Sequence, residues 1–600
     1  MTISAPRWDM TNVYPSLESK QFKNAVKEYK SLLDKLERFY KSKLSKASAK
    51  TPSKKLGSLL GKSVDQFNAI EELGGTISAY IQSFVTTDSR DKTAMRLLSE
   101  YEQVRVRQSN LSMQFSAWVG TLGKKLDKAV ATNPSAKAHA FTLKETRDQA
   151  KYLMSQAEEM LAAEMSLSGG NAFGKLQGTV TSQLTVDFEL DGKTQKLPMP
   201  ALINLRSHPD EATRHRAYDA ENQAWEGVKE TLAACMNGVK GETNALYKKR
   251  GRRDALHSAI DFARIDRKTL DAMMGAMKDS FPMFRKYFKA KAKKIGKDKL
   301  AWWDIFAPLG KTDKTYSYQE ARDFILKYFS EFSPDLHQMT ETAFKNNWID
   351  AEQREGKRGG AFCMGVPGVK ESRILSNYDG SFNNVSTLAH ELGHAFHNDC
   401  AYKAGKTELQ QNTPMTLAET ASIMCQTIIT EAVLAANKDP QEELAILEAH
   451  IQDAGQVIVD IYSRYLFEKE VLERREQSEL SADDFNDIME RAQKATYGDG
   501  IDERYLQKFM WTWKPHYYSS GFAFYNFPYA FGLLFATGLY AIYEKRGAEF
   551  VPDYMNLLSS TGEASAAKLA KRFGIDITKK KFWQDSLAII GKHIDRYCEL

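Results

Sequence analysis

The chain has 600 residues, 42 % of them hydrophobic and 27 % charged. That balance excludes a wholly disordered protein, and the length is enough for several lobes with sizeable cores at ~100–200 residues per domain. Its 83 basic and 77 acidic side chains leave a net charge of +6, too even for a chain built to wrap nucleic acid. Its 16 prolines are about half the usual ~5 %, so helices are expected to dominate.

Residues 15–45 read as an amphipathic helix, with Leu32, Leu33, Leu36 and Tyr40 at helical spacing. Residues 60–115 and 137–166 have the same character and predict long helices. Residues 178–197 alternate apolar and polar, with Asp191-Gly192 as a turn, and predict a β-hairpin. A lobe boundary is expected near residue 200, dividing an N-terminal helical lobe (1–200) from a second domain (201–600). Helical pattern returns from His208 to Lys294. The basic run Lys248, Lys249, Arg250, Arg252 and Arg253 inside it reads as a solvated face. A second strand-like region spans 355–380: Gly359 to Met364, a loop through Pro367 and Gly368, then Arg373-Ile374-Leu375. Helices resume at Asn384 and run to the end.

Pro515 to Tyr543 holds no charged residue, a length that could span a bilayer. Only Ala530 to Ala541 is densely apolar, so a buried core helix beside an aromatic wall is expected, with no membrane partner. Cys235, Cys363, Cys400, Cys425 and Cys598 are scattered and make no CxxC pair. They read as free thiols of a reducing compartment, and the N-terminus lacks the pattern of a signal peptide. A cytoplasmic protein is expected.

The chemistry is concentrated in Thr387 to His397, which contains His390-Glu391-Leu392-Gly393-His394. On a helix, capped by Asn383 or Asn384 and stopped at Gly405, His390 and His394 project from one face. Two imidazoles so placed can reach one Zn²⁺, while Glu391 is rotated off the ligand axis and suits a general base acting on water. With only 11 histidines in the chain, chance predicts fewer than about 0.03 copies of this motif. A catalytic zinc wants a third protein ligand. A histidine at 400 is missing, since Cys400 stands there, and no second Glu-x-x-His exists for a di-iron bundle. The remaining source is a carboxylate on a following helix. Thr413 as N-cap and Pro414 at its first position start such a helix, which places Glu419 on its second turn. Glu419 is the expected third ligand, ahead of Glu408 and Glu431. Gly360, Ala361 and Phe362 form a strand that could bind an extended peptide through main-chain hydrogen bonds.

Several stretches together resemble the oligoendopeptidase F branch of the thimet-oligopeptidase-like zinc peptidases. They are Trp8-Asp9-Met10, Tyr14 to Leu17, Trp303-Asp304 before Ala307-Pro308, Gly360-Ala361-Phe362, Asn377 to Ser381, His390 to His397, Leu417 to Thr420, His516-Tyr517-Tyr518 and Phe524 to Tyr529. The resemblance runs over nearly the whole chain. It implies a mainly α molecule, two helical lobes enclosing a deep substrate channel, with a small β-sheet beside the zinc helix. It implies one zinc per chain held by His390, His394 and Glu419, with Glu391 as base, and it assigns substrate-side roles to His516 and Tyr525, with Tyr529 next. The expected function is hydrolysis of internal bonds in short unstructured peptides by a zinc-activated water. A carboxypeptidase of the same zinc class and a helical protein that binds peptides without cutting them are the alternatives. Neither nucleic acid nor membrane is an expected partner, and the oligomeric state is left open.

Overall fold

The computed structural model describes residues 5–310 and 314–600. It is mainly helical. Among the described residues, the strands form one two-stranded and one three-stranded sheet. The internal contacts divide the chain into two units, each assembled from three segments. Unit 1 comprises Met1–Leu153, Lys314–Val433 and Ile542–Phe573; unit 2 comprises Met154–Asp313, Leu434–Ala541 and Gly574–Leu600. Residue 200, where composition suggested a boundary, lies inside unit 2.

In unit 1 the helices Lys20–Phe39, Ser53–Thr87 and Lys92–Thr121 bury one apolar face each. Phe22, Tyr29 and Leu33 from the first, Leu56, Leu60 and Ile70 from the second, and Leu111 and Trp118 from the third share one core. The second and third helices are separate because Asp91 caps the third, accepting from the Thr93 and Ala94 amides at 2.9 Å. The expected 60–115 helix is therefore two. Strands Phe362–Val366 and Glu371–Leu375 pair antiparallel, Phe362 opposite Leu375 and Met364 opposite Arg373, and Ile349–Asp350 joins Glu371–Leu375 in parallel. Phe362–Val366 is thus an edge strand. The motif helix, Phe382–Lys403, packs on both longer strands. Asn398 ties it to the sheet by donating to Ser372 Oγ at 3.0 Å.

In unit 2 the hairpin pairs Thr185–Leu190 with Lys193–Pro198. Asp191 (φ +53°) and Gly192 (φ +74°) supply the two left-handed residues of its turn. The expected hairpin began seven residues too early, because 178–183 close the helix Gly170–Gln183. That helix packs on the 39-residue helix Glu211–Lys249, and this tertiary contact outweighs its β-favouring Thr and Val residues. Phe527–Arg546 is a single helix with Ala530 to Ala536 buried throughout except at Leu533, the core helix expected from the charge-free segment. Among the described residues, one stretch passes the length and hydropathy test for a membrane span. It is Met415–Ala436, and 67 % of its most apolar window is buried. All five cysteines are free thiols.

Candidate metal centre

The motif helix starts at Ser381, whose Oγ accepts from the Asn384 amide at 3.3 Å. Neither expected asparagine is the cap. The Asn384 side chain instead accepts from the Asp379 amide at 2.8 Å and braces the turn before the helix. Gly405, at φ +66°, follows the C-terminal end as expected. One helical turn apart, the His390 and His394 rings stand 5.0 Å between centroids.

Glu419 is not on the second turn of a continuous helix. A short helical turn, Met415–Ala418, ends at Glu419, and the helix Thr420–Ala436 begins after it. Thr413 does not cap this turn either. Its hydroxyl lies 2.6 Å from that of Thr561 and 3.2 Å from the Gln411 carbonyl. The break lets the Glu419 carboxylate reach the motif helix. Its Oε2 lies 3.2 Å from His390 Nε2 and 3.4 Å from His394 Nε2. Gly393 permits this approach, since a Cβ there would stand 2.5 Å from the Ala421 carbonyl oxygen.

These three groups are the one His/Cys/Asp/Glu cluster among the described residues with metal-binding spacing, their ligand atoms all within 4.8 Å of one another. Tetrahedral coordination at ~2.1 Å puts ligand atoms about 3.4 Å apart, and both His–Glu419 distances match that spacing. The neighbours orient it. Gln426 Oε1 sits 3.1 Å from His390 Nδ1, which leaves Nε2 as the ligand atom, and Ser422 Oγ donates to Glu419 Oε2 at 2.6 Å. Burial works against the Glu419 charge, but the hydrogen bonds from His390 and His394 overcome it and hold the carboxylate well below its usual range.

Glu391 is 6 % exposed, and its Oε2 has no hydrogen-bond partner among the described residues. Burial raises its pKa above the ordinary carboxylate range. It faces a cavity of about 660 Å³ lined also by His390, His394, Glu419, Ala361, Phe362 and Cys363. Gly360 does not line it. That residue is turned at φ +80°, and its carbonyl accepts from Asn377 Nδ2 at 2.9 Å.

His516, Tyr525 and Tyr529 belong to unit 2, where they form a cluster of their own. The two tyrosine hydroxyls are 2.7 Å apart, the Asn526 amide nitrogen is 2.8 Å from His516 Nε2, and the His516 and Tyr525 rings stack at 5.8 Å. Burial, with the charges of Arg464, Lys240 and Lys514 behind it, pushes His516 down to about 3, so its imidazole is neutral.

Three residues beside the candidate ligand cluster were not anticipated. Ser422 and Gln426 fall three and seven residues after Glu419, a helical spacing that could have shown them. Thr561 lies 2.9 Å from His397 Nε2 across 164 residues of chain, and no sequence spacing points to it.

The sequence profile described as "Peptidase family M3" matches residues 204–589. A second profile, "Oligopeptidase F", matches residues 123–185. Oligopeptidase PepF of Bacillus subtilis is 23 % identical over 99 % of this chain and 87 % of its own. Group B oligopeptidase PepB of Streptococcus agalactiae is 24 % identical over 74 % of this chain and 73 % of its own. A solved structure from Chlamydophila abortus superposes with a TM-score of 0.85 at 19 % identity, over 99 % of this chain and 98 % of that one. The oligoendopeptidase-F of Enterococcus faecium gives 0.69 at 17 % identity, over 97 % and 98 %.

Proposed function

The chain belongs to peptidase family M3, and from that premise we propose that it is a zinc-dependent oligopeptidase cutting internal bonds of short, unstructured peptides. The observation that carries this reading is the meeting of His390, His394 and Glu419 beside the unpartnered Glu391 oxygen in one cavity. The three ligand side chains would hold Zn²⁺. Bound there, the ion supplies Lewis acidity, lowering the pKa of water toward ~7 and polarising the scissile carbonyl.

The protein's own groups do the rest. Glu391 takes a proton from the attacking water and returns it to the departing amine nitrogen, so one carboxylate serves as base and then acid. Its raised pKa suits both steps better than an ordinary carboxylate would. Ala361 and Phe362 line the cavity at the start of an edge strand. Main-chain hydrogen bonds there would hold a peptide extended while ignoring its side chains. Neutral donors from His516, Tyr525 and Tyr529 would stabilise the carbonyl oxygen as charge develops on it. This assignment rests on the family resemblance, supported by the neutrality of His516 and the paired hydroxyls.

The test is a quenched nonapeptide incubated with the protein, with and without chelator, followed by product masses. Internal cleavage that stops on chelation is the expected result. Single-residue release from the C-terminus identifies a carboxypeptidase instead, and capture without products identifies a binding protein.

A further inference from the structure

Unit 2 contains a second cavity, of about 40 Å³, lined by residues from Leu202 to Lys514. That volume takes a few water-sized particles and no peptide. Its walls are largely apolar, yet they carry several polar atoms without partners. Arg214 Nε, Trp303 Nε1, Arg464 Nε, Gln507 Nε2 and Trp513 Nε1 are buried nitrogen donors of lining residues, and none has a hydrogen-bond partner among the described residues. Against these five stands one unpartnered lining oxygen, Asp460 Oδ1. Gln507 is 1 % exposed and Asp460 3 %, so bulk solvent does not satisfy them. Leaving such groups unpaired is costly.

The charges lean the same way. Arg206, Arg214, Arg464 and Lys514 line the cavity against Glu221 and Asp460. Arg214 is paired with Asp304 at 2.9 Å and Arg464 is bonded to Asp460. Arg206 and Lys514 face both Asp460 and Glu221, and burial pushes Glu221 up and Lys514 down, each to about 7, so the lasting positive charge is that of Arg206. Water fits this environment poorly. Each water brings two donors of its own, and among the unpartnered lining atoms only Asp460 Oδ1 could accept one. An acceptor-only particle of negative charge matches both the donor excess and the charge of Arg206.

We propose that this cavity is a binding site for a small monovalent anion of the halide class, held by the Arg464, Gln507 and Trp513 nitrogens with Arg206 supplying the charge. The site is separate from the metal centre's own residues and goes beyond the peptidase reading. Trp513 and Lys514 directly precede the Pro515–Tyr518 turn that carries His516. An anion there ties down the turns on which that histidine sits, so binding stabilises the folded chain.

The test uses the full chain in sodium chloride, sodium bromide and sodium gluconate at equal ionic strength. The expected result is a saturable rise in Tm with either halide over gluconate. Gln507→Met keeps the volume and removes a donor, and Arg206→Met removes a charge. Each should raise the half-saturating halide concentration by about tenfold or more. Crystals grown in bromide should show an anomalous peak between Arg464 and Gln507, a readout that needs no variant to fold. Absence of that peak at saturating bromide, or a halide response unchanged in both variants, overturns the proposal and leaves a cavity holding water.

Discussion

Replacing Gly393 by alanine tests whether Glu419 is placed by backbone contact between two segments. The new Cβ would stand 2.5 Å from the Ala421 carbonyl oxygen and 2.6 Å from Ser422 Cα. Ordinary contact requires about 3.5 Å, so the motif helix and the Glu419 segment must separate by on the order of 1 Å. Both obstacles are main chain, and no side chain can swing aside to relieve them. Overpacking of this kind costs about 1–3 kcal/mol, a loss small beside the well-buried core of unit 1. The ligand set tolerates far less, because metal–ligand distances hold within about 0.2 Å. Glu419, two residues before Ala421, moves with the displaced segment. G393A should therefore keep its far-UV circular dichroism and lose a few degrees in Tm. Its zinc affinity, read by competition with a chromophoric chelator, should fall by about 100-fold, and its peptidase rate at fixed zinc should fall with it. A folded G393A that binds zinc as tightly as wild type would refute the placement argument.

Gln426→Leu removes the oxygen 3.1 Å from His390 Nδ1 and should weaken zinc binding by about 10–100-fold with the fold intact; the same competition titration checks it. His397 is buried and its pKa is pushed down from 6.5 to about 4. The unfolded chain binds a proton between those values that the folded chain does not, so this stability is complete above about 6.5 and drains away by up to about 3 kcal/mol as pH falls toward 4. In the presence of chelator, wild type should lose more stability to urea between pH 7 and pH 4.5 than His397→Gln does, and parallel losses would remove His397 as the cause. Tyr525→Phe or Tyr529→Phe should lower kcat by about 10²–10³ with little change in KM if either hydroxyl meets the reacting carbonyl, and steady-state kinetics showing kcat unchanged in both would exclude them.

The candidate ligand cluster was legible because helical spacing alone puts His390 and His394 on one face, and a place on a following helix set Glu419 ahead of Glu408 and Glu431. How Glu419 arrives was not legible. The break between Met415–Ala418 and Thr420–Ala436 depends on the close crossing at Gly393, and a tertiary contact leaves no local signature in the segment it bends. Caps failed for a related reason. Ser381, Asn383 and Asn384 are all good caps by type, and only the bond from the Asp379 amide to the Asn384 side chain decides among them. The hairpin turn at Asp191-Gly192 was readable to the residue, because two left-handed positions demand those side chains. Its first strand was overextended where packing on Glu211–Lys249 keeps 178–183 helical. The three-segment make-up of each unit was hidden altogether, since composition shifts mark linkers along the chain and say nothing about which distant segments fold together.

The most direct measurement of the central claim is zinc content and peptide turnover on one preparation of Glu391→Gln. The substitution keeps the shape of the side chain and removes its basicity while leaving His390, His394 and Glu419 in place. About one zinc per chain with kcat lower by at least about 10³ is the predicted result. A zinc-loaded variant that cleaves the peptide near the wild-type rate would contradict the account.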